Sequence, residues 1–100
     1  ILLAMENQQP VGYTQLFPSW SSVSMRRVWI LNDLFVLTEK RNQGIAKALM
    51  NKAKEHAIST NAVRMILATE ATNKIGQNLY ESMGYLQFDD FYHYVLPIDP

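Results

Sequence analysis

The chain has 100 residues, with nine Lys and Arg set against nine Asp and Glu, which allows one small domain of zero formal net charge. That balance opposes a protein built to hold nucleic acid or an anionic membrane surface, and no apolar run is long enough to cross a bilayer. Cysteine is absent and the only histidines are His56 and His93, which excludes a disulfide framework, a thiolate zinc site and a Cys nucleophile and leaves no His-rich metal site. What remains is a compact domain of cytoplasmic type, either enzymatic or binding.

In chain order, residues 1–6 read as a strand and Asn7-Gln8-Gln9-Pro10 as the polar turn that follows it. Val11 to Phe17 alternates and is rich in β-branched and aromatic residues, so it forms a hairpin partner. Pro18-Ser19-Trp20-Ser21-Ser22 is expected to break that strand into a loop. Val28 to Leu37 is the strongest strand pattern, apolar almost throughout as if buried on both faces, yet interrupted by Asn32-Asp33. A bulge would accommodate such an interruption, and so would a polar pair satisfied across the sheet. After the connector 38–44, residues 44–59 have helical periodicity, with Ile45, Leu49, Met50 and Ala53 on one face.

Val63 to Thr69 reads as another continuous strand. Asn73 to Met83 reads as a second helix, with Ile75, Leu79 and Met83 facing a core and Gly84 as its stop. Two closing strands are expected at 85–88 and 91–96, around Asp89-Asp90. The predicted order is β-β-β-α-β-α-β-β. This is an α+β fold whose single strand-helix-strand crossover places two strands in parallel.

Chemistry concentrates in Arg41-Asn42-Gln43-Gly44-Ile45-Ala46-Lys47, which follows a buried strand and opens a helix. Unpaired N–H groups and the positive end of the helix dipole suit a pyrophosphate there. Gly44 would let the backbone approach it closely, and Arg41 and Lys47 would add charge. Gly44 could equally serve only the strand-to-helix turn. The loop lacks both the dinucleotide fingerprint and the P-loop pattern.

Two blocks carry a resemblance. Leu34-Phe35-Val36, followed by Arg41-x-x-Gly44-x-Ala46, resembles the acyl-CoA signature of the GNAT acetyltransferase superfamily, Arg/Gln-x-x-Gly-x-Gly/Ala. Asn73, with Leu79-Tyr80-Glu81-x-x-Gly84-Tyr85, is similar to that family's second block. Ala46 stands for the second Gly, and Gly76 occupies a position that is commonly Ala; both replacements are small. The family domain opens with a further strand and two helices. The resemblance therefore implies that these 100 residues are the C-terminal portion of a larger domain, with a mostly antiparallel sheet and one splayed parallel pair.

Phe17-Pro18-Ser19-Trp20-Ser21-Ser22 and Trp29 to Val36 resemble the branch that acetylates polyamines and protein lysines, although an acidic pair is here Asn32-Asp33. The resemblance implies acetyl-CoA as co-substrate and no metal. It places the backbone of Leu34, Phe35 and Val36 beside the pantetheine, with the Val36 N–H polarising the thioester carbonyl. It gives residues 41–47 the pyrophosphate, Asn73 the pantetheine arm and Tyr80 the role of acid for the leaving thiolate. Asn73 also reads as a helix N-cap, and Tyr80 as an amphipathic surface residue. Asp33 is a candidate for attracting a cationic amine.

The general base stays open between Asp33, Glu39, Glu70 and a water chain. His56 reads as a solvated residue, and His93 as lining a substrate mouth or an edge. With no Cys, direct attack in a ternary complex is the expected route. The expected function is therefore N-acetyl transfer from acetyl-CoA to a primary amine; the alternative is a CoA-binding sensor or assembly module without catalysis. Self-association through an exposed sheet edge would give a homodimer.

Overall fold

A computed structural model describes residues 1–88 and 94–99 and divides the chain into two compact units, Ile1–Ala68 and Thr69–Pro100. The first unit holds a four-stranded sheet in the order β1-β2-β3-β4, formed by Leu2–Glu6, Gln9–Ser21, Arg26–Val36 and Arg64–Ile66. β1, β2 and β3 are antiparallel, and β3 and β4 are parallel. A single 3₁₀ turn at Thr38–Lys40 leads to helix α1, Ile45–Ser59.

The apolar stripe of α1 explains its packing. Leu49, Met50, Ala53 and Ala57 are buried and form the core with Val11, Val28, Leu31 and Val36 of the sheet. Ile45 and the sheet meet over Gly12: a Cβ there would lie 2.8 Å from the Phe35 carbonyl oxygen and 3.4 Å from Ile45 Cγ2. Only glycine fits where β2, β3 and the start of α1 converge.

Asn32 marks a break in register. Gln15 pairs with Asp33 but Leu16 pairs with Leu31, so Asn32 is an extra residue on β3. The parallel ladder with β4 stops just before it, at Ile30 opposite Ile66. β3 then runs on to Val36 with only β2 beside it in the sheet.

Three expectations are corrected. The strand β2 does not break at Pro18 but continues to Ser21, with Pro18 opposite Trp29. Thr14 is the last β2 residue paired with β1; beyond it β2 is an edge strand, where a residue without an N–H forfeits no ladder bond. The fourth strand is Arg64–Ile66 rather than 63–69; its ladder with β3 ends at Ile30, where the regular pleat of β3 is about to be interrupted by the bulge. Residues 85–88 and 94–96 carry no strand, and Leu86, Phe88, Val95 and Leu96 are exposed. A pleated strand is favoured by half-burial of one face, which these apolar side chains do not have. The remainder of the expected last strand, with His93, lies outside the described residues.

The second unit is built on helix α2, Lys74–Ser82. Asn73 caps its start, its side chain accepting the Gly76 N–H at 3.1 Å. Gly84, at φ 94°, reverses the chain at its end, and the Tyr85 N–H reaches the Tyr80 carbonyl at 3.0 Å. The expected apolar face of α2 is corrected at Ile75, which is 86% exposed, whereas Leu79 and Met83 are half-buried. No helix among the described residues is long and apolar enough to cross a membrane.

Candidate active site

The site in the first unit grows from the strand beyond the bulge. Leu37 N–H donates to the Val11 carbonyl at 2.8 Å, which fixes the alternation of the ladder: Val36, opposite Gly12, is a pair whose own N–H and C=O turn away from β2. Leu34, two residues earlier, turns the same way. Phe35 is the opposite case: its backbone faces Tyr13 of β2, and the two rings pack at 5.8 Å between centroids. Of the three residues expected to offer backbone to a ligand, the geometry gives that capacity to Leu34 and Val36 and withholds it from Phe35. The side on which they open is the side on which β4 has already ended.

The Val36 carbonyl has a partner that the sequence does not reveal: Arg41 Nε donates to it at 3.0 Å. Between them, the 3₁₀ turn is closed by Lys40 N–H on the Leu37 carbonyl at 2.9 Å, and Lys40 pairs with Glu6 at 2.6 Å. Asn42 and Gly44 then take left-handed backbone, φ 63° and φ 78°. The Gln43 side chain reaches the Glu39 carbonyl only at 3.5 Å.

The start of α1 runs against ordinary helix chemistry. Its N-cap, Gly44, offers no side-chain hydrogen bond, and no acidic residue lies in the first turn. Instead Lys47 sits there, exposed with Arg41, Asn42 and Gln43, while Ile45 and Ala46 are half-buried. The intrahelical ladder begins with Ala48 N–H on the Gly44 carbonyl at 3.0 Å. The N–H groups before it, through Lys47, have no helical partner. Cations beside a helix N-terminus are unfavourable unless an anion accompanies them. A Cβ on Gly44 would meet nothing within 4 Å, so the space above the loop is open.

Asp33 is exposed, and its backbone carbonyl accepts the Thr14 hydroxyl at 2.6 Å. In the second unit, Asn73 Nδ2 donates to Thr69 Oγ1 at 3.0 Å while its Oδ1 serves the cap. One amide hydrogen and one lone pair remain for a ligand. Tyr80 packs against Tyr85, 6.1 Å between ring centroids. Burial raises the pKa of Tyr80 above the ordinary phenol value; burial raises that of Tyr85 too, and the charge on Tyr80 adds to it. Both are protonated donors at neutral pH. Glu39 and Glu70, the other carboxylates considered as a base, are exposed. His56 is exposed, yet its ring lies 4.8 Å from that of Trp29.

Comparison with known proteins decides the family. The model of the acetyltransferase (GNAT) family matches residues 1–85. The chain belongs to the GNAT acetyltransferase family. Its relatives include the uncharacterised N-acetyltransferase YhfO of Bacillus subtilis, 44% identical over 98 residues, which are 98% of this chain and 66% of that protein. Thialysine N-epsilon-acetyltransferase of Bos taurus is 32% identical over 74 residues, covering 74% of this chain and 43% of its own. The crystal structure of a probable acetyltransferase, 44% identical, superposes with a TM-score of 0.88 over 99% of this chain and 66% of that one. The GNAT chain described here thus spans 66% or less of the length of these relatives. Its mixed sheet with one parallel pair belongs to a fold shared with the matched part of that neighbour.

Proposed function

We propose that this chain carries the acyl-CoA cradle and the reacting strand edge of an N-acetyltransferase that moves an acetyl group from acetyl-CoA to a primary amine. The observation that carries the reading is the continuity of one edge. Val36 turns its N–H outward beyond the end of β4, and the same strand feeds a loop with two left-handed residues and an uncapped, cationic helix start. An extended amide-bearing arm ending in a pyrophosphate matches these features in that order.

Acetyl-CoA supplies the activated thioester. Within this chain, the N–H groups from Gly44 to Lys47, with the Arg41 and Lys47 side chains, would hold the pyrophosphate, and Asn42 and Gln43 shape the loop around it. Leu34 and Val36 would pair with the pantetheine arm as a neighbouring strand does. The Val36 N–H would donate to the thioester carbonyl oxygen, where negative charge develops during attack. Asn73 would hold the arm with its remaining amide hydrogen and lone pair. Tyr80, protonated at neutral pH, would give its proton to the departing thiolate.

For the acceptor we infer a cationic amine such as a polyamine or a lysine side chain. A relative named for thialysine acetylation supports an amine of this kind. Asp33, exposed and next to Leu34 on the reacting strand, would concentrate an ammonium near the thioester. The proposed route is direct attack by the amine on the thioester, with no covalent intermediate on the protein.

The test is release of CoA thiol from acetyl-CoA in the presence of polyamines, lysine peptides and amino sugars. Turnover with a cationic amine, with Asp33→Asn raising KM more for a polyamine than for a neutral acceptor, is the expected result. CoA binding without turnover on any amine would assign the chain instead to a sensor or assembly role.

A further inference from the structure

We propose that Arg41 is a positioning residue that makes gripping the anionic end of the ligand and aligning its acyl end a single event. The inference rests on the acyl-CoA reading of this edge and adds a role that charge alone does not give. Arg41 Nε sits 3.0 Å from the Val36 carbonyl oxygen, in the same residue whose N–H is assigned to the thioester. That carbonyl faces away from β2. It is therefore an outward acceptor that the sheet does not use, and the first side chain of the phosphate loop satisfies it.

The bond closes a ring. From Val36 the backbone passes through the 3₁₀ turn, held by Lys40 N–H on the Leu37 carbonyl and Arg41 N–H on the Thr38 carbonyl, and the Arg41 side chain returns to Val36. The Nη groups of Arg41 make no hydrogen bond or ion pair among the described residues, so the guanidinium can brace the strand with Nε while presenting Nη to an anion. Movement of the loop would then move the strand edge. The peptide plane joining Val36 to Leu37 is held from both sides, by Arg41 on the carbonyl and by Val11 on the Leu37 N–H.

Side-chain chemistry separates bracing from charge. Gln places its Nε2 as many bonds from the backbone as Arg places Nε, so Arg41→Gln keeps a donor at Val36 and removes the charge. Lys has a methylene at that position, so Arg41→Lys keeps the charge and removes the brace. The experiment measures binding of CoA and of pantetheine, which lacks the pyrophosphate, to the full chain and to both variants, with melting temperatures to establish that each is folded.

Bracing predicts that Arg41→Lys weakens pantetheine and CoA alike, by about 3–10-fold, the weight of one hydrogen bond. Arg41→Gln should bind pantetheine as the parent chain does and lose affinity only for CoA. Two results would overturn the proposal: Arg41→Lys binding pantetheine like the parent chain, or Arg41→Gln losing as much pantetheine affinity as Arg41→Lys. A parent chain that binds neither CoA nor pantetheine would instead overturn the acyl-CoA reading itself, and the proposal with it.

Discussion

The hydroxyl of Thr14, wholly buried, donates to the backbone carbonyl of Asp33 at 2.6 Å. The contact joins the middle of β2 to the residue immediately after the bulge, so it fixes the point from which β3 runs on without β4. Thr14→Val keeps the shape and removes the donor. It should cost about 1–2 kcal/mol, the range for a buried hydrogen bond lost, read from urea denaturation. It should also weaken CoA binding if the bulge sets the course of the edge that ends at Val36.

Gly44 supports a second prediction. At φ 78° a β-branched side chain is strained by about 1–3 kcal/mol, so Gly44→Val should melt earlier and lose the CoA-dependent rise in Tm. Asn tolerates left-handed backbone, so Gly44→Asn should keep most of the stability and still lose the rise, its side chain filling the open space above the loop. A rise in Gly44→Asn equal to that of the parent chain would place the pyrophosphate elsewhere.

The parts legible in sequence were those fixed by local pattern. The stripe Leu49, Met50, Ala53 gave the buried face of α1, and Gly84 gave the end of α2. Asn32-Asp33 marked an interruption that suited either a bulge or a polar pair satisfied across the sheet, and the register of β2 with β3 shows the bulge. What pattern could not show was dependence on a distant partner. Pro18 reads as a breaker unless one knows that β1 has already ended beside it. β4 ends at Ile66, opposite Ile30 and two residues short of the bulge on β3, a limit that no residue in 63–69 encodes. At the site, the loop residues 41–47 were readable from the strand-loop-helix order, but the contact of Arg41 with Val36 depends on which way the ladder alternates. Gly12 gave no signal at all, since its need to be small comes from the Phe35 carbonyl and Ile45 together.

Asn73 and Gly76 form a coupled pair in the second unit. A Cβ on Gly76 would lie 2.9 Å from Asn73 Cγ, so the cap exists in this form because residue 76 is glycine. Asn73→Ala should cost about 1 kcal/mol. Gly76→Ala alone should change stability little, because a helix gain of up to about 1 kcal/mol is offset by the displaced cap. In the Asn73→Ala background the same substitution should be stabilising. Thermal melts of the four proteins give the coupling, expected near 1 kcal/mol.

Alkaline pH should weaken the fold through the two tyrosines. Burial raises both pKa values above the ordinary phenol value, so above about pH 10 the unfolded chain loses these protons first and the folded chain holds more. Stability then falls with rising pH, and what the neutral phenols contribute is present in full below that range. Urea midpoints measured from pH 8 to 11 should decline, and Tyr80→Phe and Tyr85→Phe should each flatten the decline. An equal decline in both variants would trace it to other groups.

Tyr80 also bears the catalytic half of the proposed function. Expelling a thiolate after attack by an amine calls for a proton donor, and a phenol held protonated at neutral pH can serve without a metal or a depressed pKa. Tyr80→Phe keeps the ring that packs against Tyr85, so stability at neutral pH and CoA affinity should stay close to those of the parent chain. The loss should fall on kcat, by about 10²–10⁴-fold for general-acid catalysis, with KM for acetyl-CoA little changed. Tyr85→Phe is the control, because it removes the neighbouring hydroxyl and leaves that of Tyr80; its kcat should remain within about tenfold. A tenfold or smaller loss in Tyr80→Phe would mean that solvent protonates the thiolate. A large loss of CoA affinity would instead make Tyr80 a wall of the binding groove rather than its acid.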